Sequence, residues 1–202
     1  MFEGMKVGLR PIETSDVPVL SAISNDPRVR SLVVGWRWPS NSQSEQAIAD
    51  TPKRGSGTIR LSVFDLAEGK TIGLTGLWEI DEHNSSAQTG IKLDLDRAPK
   101  GAGRDAIMLL SAWAFLEVGL RRLSTTILPF NAASLRAYVH YCGWTIEGRD
   151  REAIFRAGRW HDLIRIGLLA HEFDSHPQKG HYASCITPIS TVDVSGDAAV
   201  VH

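Results

Sequence analysis

Between residues 59 and 95 three extended runs follow one another so closely that they pair only as an antiparallel meander: 59–66, 71–80 and 87–95. The spacers, Glu68-Gly69-Lys70 and His83-Asn84-Ser85, are made of turn residues and are far too short for the crossover that parallel pairing requires. The third run leads into Arg97-Ala-Pro-Lys-Gly-Ala-Gly-Arg104 and then a helix, 104–118, that is apolar on most faces and stops at Gly119. A helix of that kind has to be largely buried.

The segment between sheet and helix has the chemistry of an anion site. Its two glycines permit a tight turn and close approach of a ligand, and the first helical turn offers unpaired N–H groups and the positive end of the dipole. Arg97, Lys100 and Arg104 add formal charge, and a cation at that helix end is disfavoured unless an anion joins it. Gly101-Ala-Gly-Arg-Asp-Ala106 also fits the dinucleotide fingerprint, but no carboxylate stands at the end of the next strand, 123–128. A Walker-type loop would need Lys-Ser/Thr where Arg104-Asp105 stands. An NAD-binding oxidoreductase therefore survives only through the fingerprint.

The remaining elements alternate. Residues 7–10 are extended, and Ser15 and Asp16 open a helix that runs to about Asn25. An arginine- and tryptophan-rich loop, 28–39, precedes a polar helix, 42–51. After strand 123–128, Asn131 caps a helix, and extended segments follow at 144–147, 153–157 and 163–170. A loosely held tail is expected from Asp174 onward, so residues 1–173 form the domain and 174–202 the tail. With 202 residues, 43% of them hydrophobic, the domain can bury its own core, and Cys142 and Cys185 show no disulfide or metal spacing. The net charge of -1 gives no global attraction for nucleic acid or an anionic membrane. No apolar run reaches the ~18 residues of a membrane span and no targeting signal is visible, so a cytoplasmic enzyme is expected.

Five short motifs stand in order along the chain: Leu9-Arg10-Pro11 with Asp16-Val17; Lys100-Gly101-Ala102-Gly103; Asn131-Ala-Ala-Ser134; Gly143-Trp144 with Glu147-Gly148; and Arg159-Trp160-His161-Asp162. Together they resemble the GCN5-related N-acetyltransferase (GNAT) superfamily, especially its branch of ribosomal-protein N-terminal acetyltransferases, over about residues 7–173. The resemblance implies one α/β (α+β) domain with a twisted, mostly antiparallel mixed sheet flanked by helices. It implies direct transfer of an acetyl group from acetyl-CoA to a primary amine of a small molecule or a protein N-terminus, without metal. A catalytically silent acyl-CoA-binding module is the alternative, and a homodimer is compatible with either. The chain departs from the family at Ala98, where Gln or Arg is common, at Gln88, where this branch carries Glu, and by one extra residue between Asn131 and Gly143. That residue leaves room for a helical bulge.

The same resemblance implies roles. Lys100, Gly101, Ala102, Gly103 and Arg104 hold the pyrophosphate; Ile91, Leu93 and Leu95 lie along the pantetheine arm; Asn131 and Ser134 start the coenzyme-side helix. Tyr138, seven positions after Asn131, is the acid for the departing thiolate, although its helical spacing with Leu135, Val139 and Cys142 equally makes it a core aromatic, with Tyr141 as the fallback. Independently of the resemblance, alternation along 71–80 and on to Asp81 puts Glu79 and Asp81 on one face, and Glu79, between Trp78 and Ile80, is the candidate base. Trp36, Trp38 and Gln88 face the acceptor, the two indoles either stacking on it or packing as a lid. Arg28, Arg30 and Arg37 read either as a preference for an acidic acceptor or as a solvated face.

Overall fold

A computed structural model describes residues 1–35, 48 and 57–186. The described chain runs β1 (Phe2–Glu3), β2 (Val7–Pro11), α1 (Val17–Asn25), α2 (Pro27–Ser31), β3 (Thr58–Asp65), β4 (Thr71–Asp81), β5 (Ser86–Leu93) and α3 (Ala102–Leu116). It continues through β6 (Arg122–Ile127), α4 (Ala132–Leu135), a π-helical turn (Arg136–Tyr141), β7 (Thr145–Arg156), β8 (Arg159–Leu169), α5 (Ala170–Asp174) and α6 (Lys179–Ile186). The strands form one sheet in the order β1-β2-β3-β4-β5-β6-β8-β7, antiparallel throughout except between β5 and β6.

Strand alternation divides the sheet into two faces. Leu9, Val63, Leu77 and Ala87 pack with Ala106, Met108, Leu109 and Ala112 of α3 in the main core, and each fully buried Leu or Met contributes about 1.5–3 kcal/mol. The opposite face carries a smaller core in which Val17, Leu20, Ile23, Val29 and Ile48 pack with Leu74. There the buried Asp16 receives both Nη1 (2.6 Å) and Nη2 (2.8 Å) of Arg10, so the first motif joins β2 to α1.

Three expectations need correction. Segments 144–147 and 153–157 belong to the single strand β7, whose alternation is interrupted by irregularities between Ile146 and Gly148 and between Asp150 and Ile154. Strand β5 ends at Leu93, so Leu95 lies beyond it. The chain past Asp174 is not loose throughout: α6 buries Tyr182 and Ile186 in the main core. The helix expected at 42–51, Ile48 apart, and the tail after residue 186 lie outside the described residues.

Candidate functional site

Strands β5 and β6 pair only through Ser86–Gln88 and Arg122–Ser124. Beyond Gln88 the outward edge of β5 meets no strand among the described residues, and a cleft of about 1050 Å³ opens between residues 89–93 and 125–127. One end of the cleft is closed by Lys100, Gly101, Gly103 and Arg104, and one wall is formed by Asn131, Ser134, Tyr138 and Tyr141. The split passes through the sheet, so the cleft borders both faces.

At the glycine loop, Gly101 caps α3 with φ 94°, a left-handed conformation that a side chain would strain. The N–H of Ala102 bonds to Pro99 (2.9 Å) and that of Asp105 to Gly101 (3.1 Å), whereas those of Gly103 and Arg104 find no acceptor among the described residues. Two free N–H groups at a helix start, beside Lys100 and Arg104, fit a phosphate. Ala102 is turned into the core and offers only its backbone. Arg97 departs from expectation: it lies near Asp94 and lines a separate hollow with Pro18 and Asp26. Ile91 and Leu93 line the cleft from β5, and Leu95 reaches it from beyond the strand end, 49% exposed.

Asn131 is engaged at both ends. Its Oδ1 accepts from the Ser134 N–H (3.1 Å) and its Nδ2 donates to the Leu32 carbonyl (3.2 Å), so it caps α4 and ties it to the segment after α2. The extra residue before Gly143 is accommodated by the π-helical turn, which contains both tyrosines. Tyr138 is 3% exposed, packs edge-on against Trp144 at 4.9 Å, and has no hydrogen-bond partner for its hydroxyl among the described residues. Burial holds its phenol well above the ordinary tyrosine range. Tyr141, 54% exposed, lies under the Arg104 guanidinium at the cleft mouth. Burial also pushes the neighbouring Cys142 thiol up to about 12, which keeps it unreactive.

On the α1 face the cleft meets Trp78 and Gln88, which pair across β4 and β5. The Trp78 ring covers Gly90 so closely that a Cβ there would sit 2.8 Å from Cη2. Glu79 occupies an irregularity between Trp78 and Asp81 with φ 50°, and regular alternation fails at that point. It is exposed and stands outside the cleft lining, joined to it through Gln88, whose Nε2 donates to the Glu79 carboxylate. Trp36 and Trp38 lie outside the described residues. Arg28 is held between Asp26 and Asp96, away from the cleft.

Sequence reasoning missed Lys6, Arg60, Trp78 and Lys92, all of which line the cleft. Lys6 reaches the glycine loop by donating to the Lys100 carbonyl (2.9 Å) across 94 positions. Alternation along the meander places Arg60, Trp78 and Lys92 on the Gln88 face, which was the available signal for them.

The acetyltransferase (GNAT) domain family matches residues 6–158. The chain is 25% identical over 173 residues to the SPbeta prophage-derived uncharacterized N-acetyltransferase YokL of Bacillus subtilis, covering 86% of this chain and 95% of that protein. It is 26% identical over 172 residues to YdaF of Bacillus subtilis, provisionally named a ribosomal N-acetyltransferase, covering 83% and 93%. Its fold is shared with spermidine N-acetyltransferase from Vibrio cholerae in complex with CoA and spermine, with TM-score 0.75 and 24% identity over 82% of this chain and 96% of that one. An open strand edge that runs into a glycine-capped helix start is thus found in a chain whose sequence matches that domain over most of its length, and the chain belongs to the GNAT acetyltransferase family.

Proposed function

We propose that the coenzyme of this acetyltransferase lies along the open β5 edge with its pyrophosphate on the glycine loop, and that the acceptor amine enters from the α1 face. The observation that carries this reading is the continuity of one wall: unpaired strand edge, free N–H groups of Gly103 and Arg104, and the unpartnered Tyr138 hydroxyl. When bound, acetyl-CoA supplies the activated acetyl group. The chain's residues do the rest.

Gly103 and Arg104 donate N–H groups to the pyrophosphate, Lys6, Lys100 and Arg104 neutralise it, and Ser134 stands at the start of the coenzyme-side helix. Asn131 fixes that helix and Leu32. Tyr138, kept protonated by burial, donates to the thiolate as charge collects on sulfur. Gln88, with its Nε2 committed to Glu79, leaves Oε1 to accept from the amine; Glu79 takes up the amine's proton through water. Trp36 and Trp38 belong to the acceptor side. Self-association as a homodimer completes the proposal, with sedimentation velocity as its check.

Calorimetric titration with acetyl-CoA, with NADH as the competing ligand for the same loop, tests the coenzyme assignment. Saturable binding of acetyl-CoA alone is expected, and NADH binding in its place would overturn it. Release of free CoA thiol is then followed with peptide N-termini, amino sugars and polyamines. The complex of the Vibrio cholerae relative puts spermine on that panel. Binding without turnover of any amine would favour the silent acyl-CoA-binding module.

A further inference from the structure

The cleft lining contains six lysines and arginines, and no aspartate or glutamate among the described residues: Lys6, Arg60, Lys92, Lys100, Arg104 and Arg136. Four of these stand on or beside the glycine loop and the π-helical turn, where the coenzyme's phosphates account for them. Arg60 and Lys92 do not. The register Arg60–Gly76–Gly90 across β3, β4 and β5, with Leu74 opposite Lys92, puts both on the face of Trp78 and Gln88, across the sheet from α3.

Lys92 is half-buried, and among the described residues its ammonium meets no acceptor and pairs with no carboxylate. Burial pulls its ammonium below the ordinary lysine range, and the nearby charges of Arg30 and Arg60 push it further the same way. A desolvated ammonium without a counter-ion is costly, and an anion beside it would offset that cost. Arg60, Lys92, Trp78 and Gln88 all line the same cleft, with the Trp78 ring seated over Gly90, so Lys92 shares one space with the acceptor side.

We propose that the acceptor amine carries an anionic group, a carboxylate or a phosphate, and that Lys92 binds it on the α1 face of the sheet. This inference rests on the acetyl-transfer reading for the position of the amine, but the anion site is testable without turnover. A polyamine brings only positive charge to a wall already cationic, so it is the wrong acceptor class for these residues.

The test is calorimetric titration of the CoA-bound protein with glutamate and an acidic dipeptide, with O-phosphoethanolamine and glucosamine 6-phosphate, and with spermidine and glucosamine as the cationic and neutral controls. The first two pairs separate carboxylate from phosphate recognition. Binding of at least one anionic amine is expected, with spermidine the weakest. Lys92→Met should weaken the anionic ligand about ten- to a hundred-fold, Lys92→Arg should retain most of it, and affinity for acetyl-CoA should be unchanged in both. Loss of the uncompensated charge should also raise the Tm of Lys92→Met, which shows that the variant folds. Equal or better binding of spermidine, no binding of any anionic amine, or anion affinity within two-fold of wild type in Lys92→Met would overturn the proposal. Lys92-dependent anion binding without CoA release would uphold it and count instead against acetyl transfer.

Discussion

Asp105 and Tyr182 meet through a 2.7 Å hydrogen bond that joins α6 to the first turn of α3 across 77 positions of the chain. The same carboxylate accepts from the N–H groups of Met5 (3.2 Å), Lys6 (2.7 Å) and Val7 (3.0 Å). One buried group therefore fixes the N-terminal strands, the glycine loop's helix and the C-terminal helix together. Tyr182→Phe should cost about 1–2 kcal/mol and Asp105→Asn about 3 kcal/mol or more, since the amide turns N–H toward donors and leaves them unsatisfied. Urea denaturation reads both, and a Tyr182→Phe midpoint equal to wild type would remove the latch from the account.

Tyr138→Phe should reduce kcat about 10²- to 10³-fold with little change in acetyl-CoA affinity. Because burial holds the phenol above its ordinary range, the proton stays on Tyr138 through neutral and mildly alkaline conditions. The alkaline limb of the pH–rate profile should therefore be flat up to about pH 10 as far as this residue is concerned. A kcat within three-fold of wild type would leave Tyr138 as a packing residue against Trp144.

Arg156 clamps the segment after α2: its Nη2 donates to the carbonyls of Val33 (2.8 Å), Val34 (3.2 Å) and Gly35 (2.7 Å), all of which line the cleft. Arg156→Ala should raise the acceptor KM about ten-fold and leave the acetyl-CoA Kd unchanged, because only the acceptor wall loosens. Faster amide exchange at Val34 and Gly35 should accompany it. An unchanged KM with normal exchange would show that the clamp is dispensable.

Stability should fall in acid through Asp16. Burial alone would raise its pKa, but hydrogen bonds from Arg10 and Thr71 and from the Glu13 N–H outweigh burial and lower it. A depressed carboxyl pKa contributes stability that is present above the unfolded value of about 3.9 and is lost as pH falls through the folded value. Asp16→Asn should be less stable than wild type at pH 7 and show a smaller loss between about pH 4 and pH 2. Parallel denaturation curves for the two proteins over that range would rule Asp16 out as the acid-sensitive group.

The parts legible in the sequence are those written in local signals. Apolar runs with short polar turns gave the meander, the paired glycines gave the start of α3, and Asn131 gave the cap of α4. The extra residue before Gly143 announced the π-helical turn. What escaped depends on distant pairing or on broken periodicity. The three-residue contact of β5 with β6 has no local signature, and neither does Lys6 beside Lys100. Glu79 sits where one positive φ breaks the alternation of β4, and the run Arg149-Asp-Arg-Glu152 hid β7 by being polar on both sides. Tyr182 and Ile186, four apart, are α6's only buried residues, too thin a stripe to stand out from a polar tail.

The parted strands have a consequence for the life of the protein before any catalysis. A central strand that beyond Gln88 meets no strand on its β6 side among the described residues is an internal sheet edge, and exposed edges recruit strands from other chains. On the proposed placement the coenzyme would take the place a further strand would hold, and its binding would shield that edge. A cell short of acetyl-CoA would then hold not merely an idle catalyst but one more prone to aggregate.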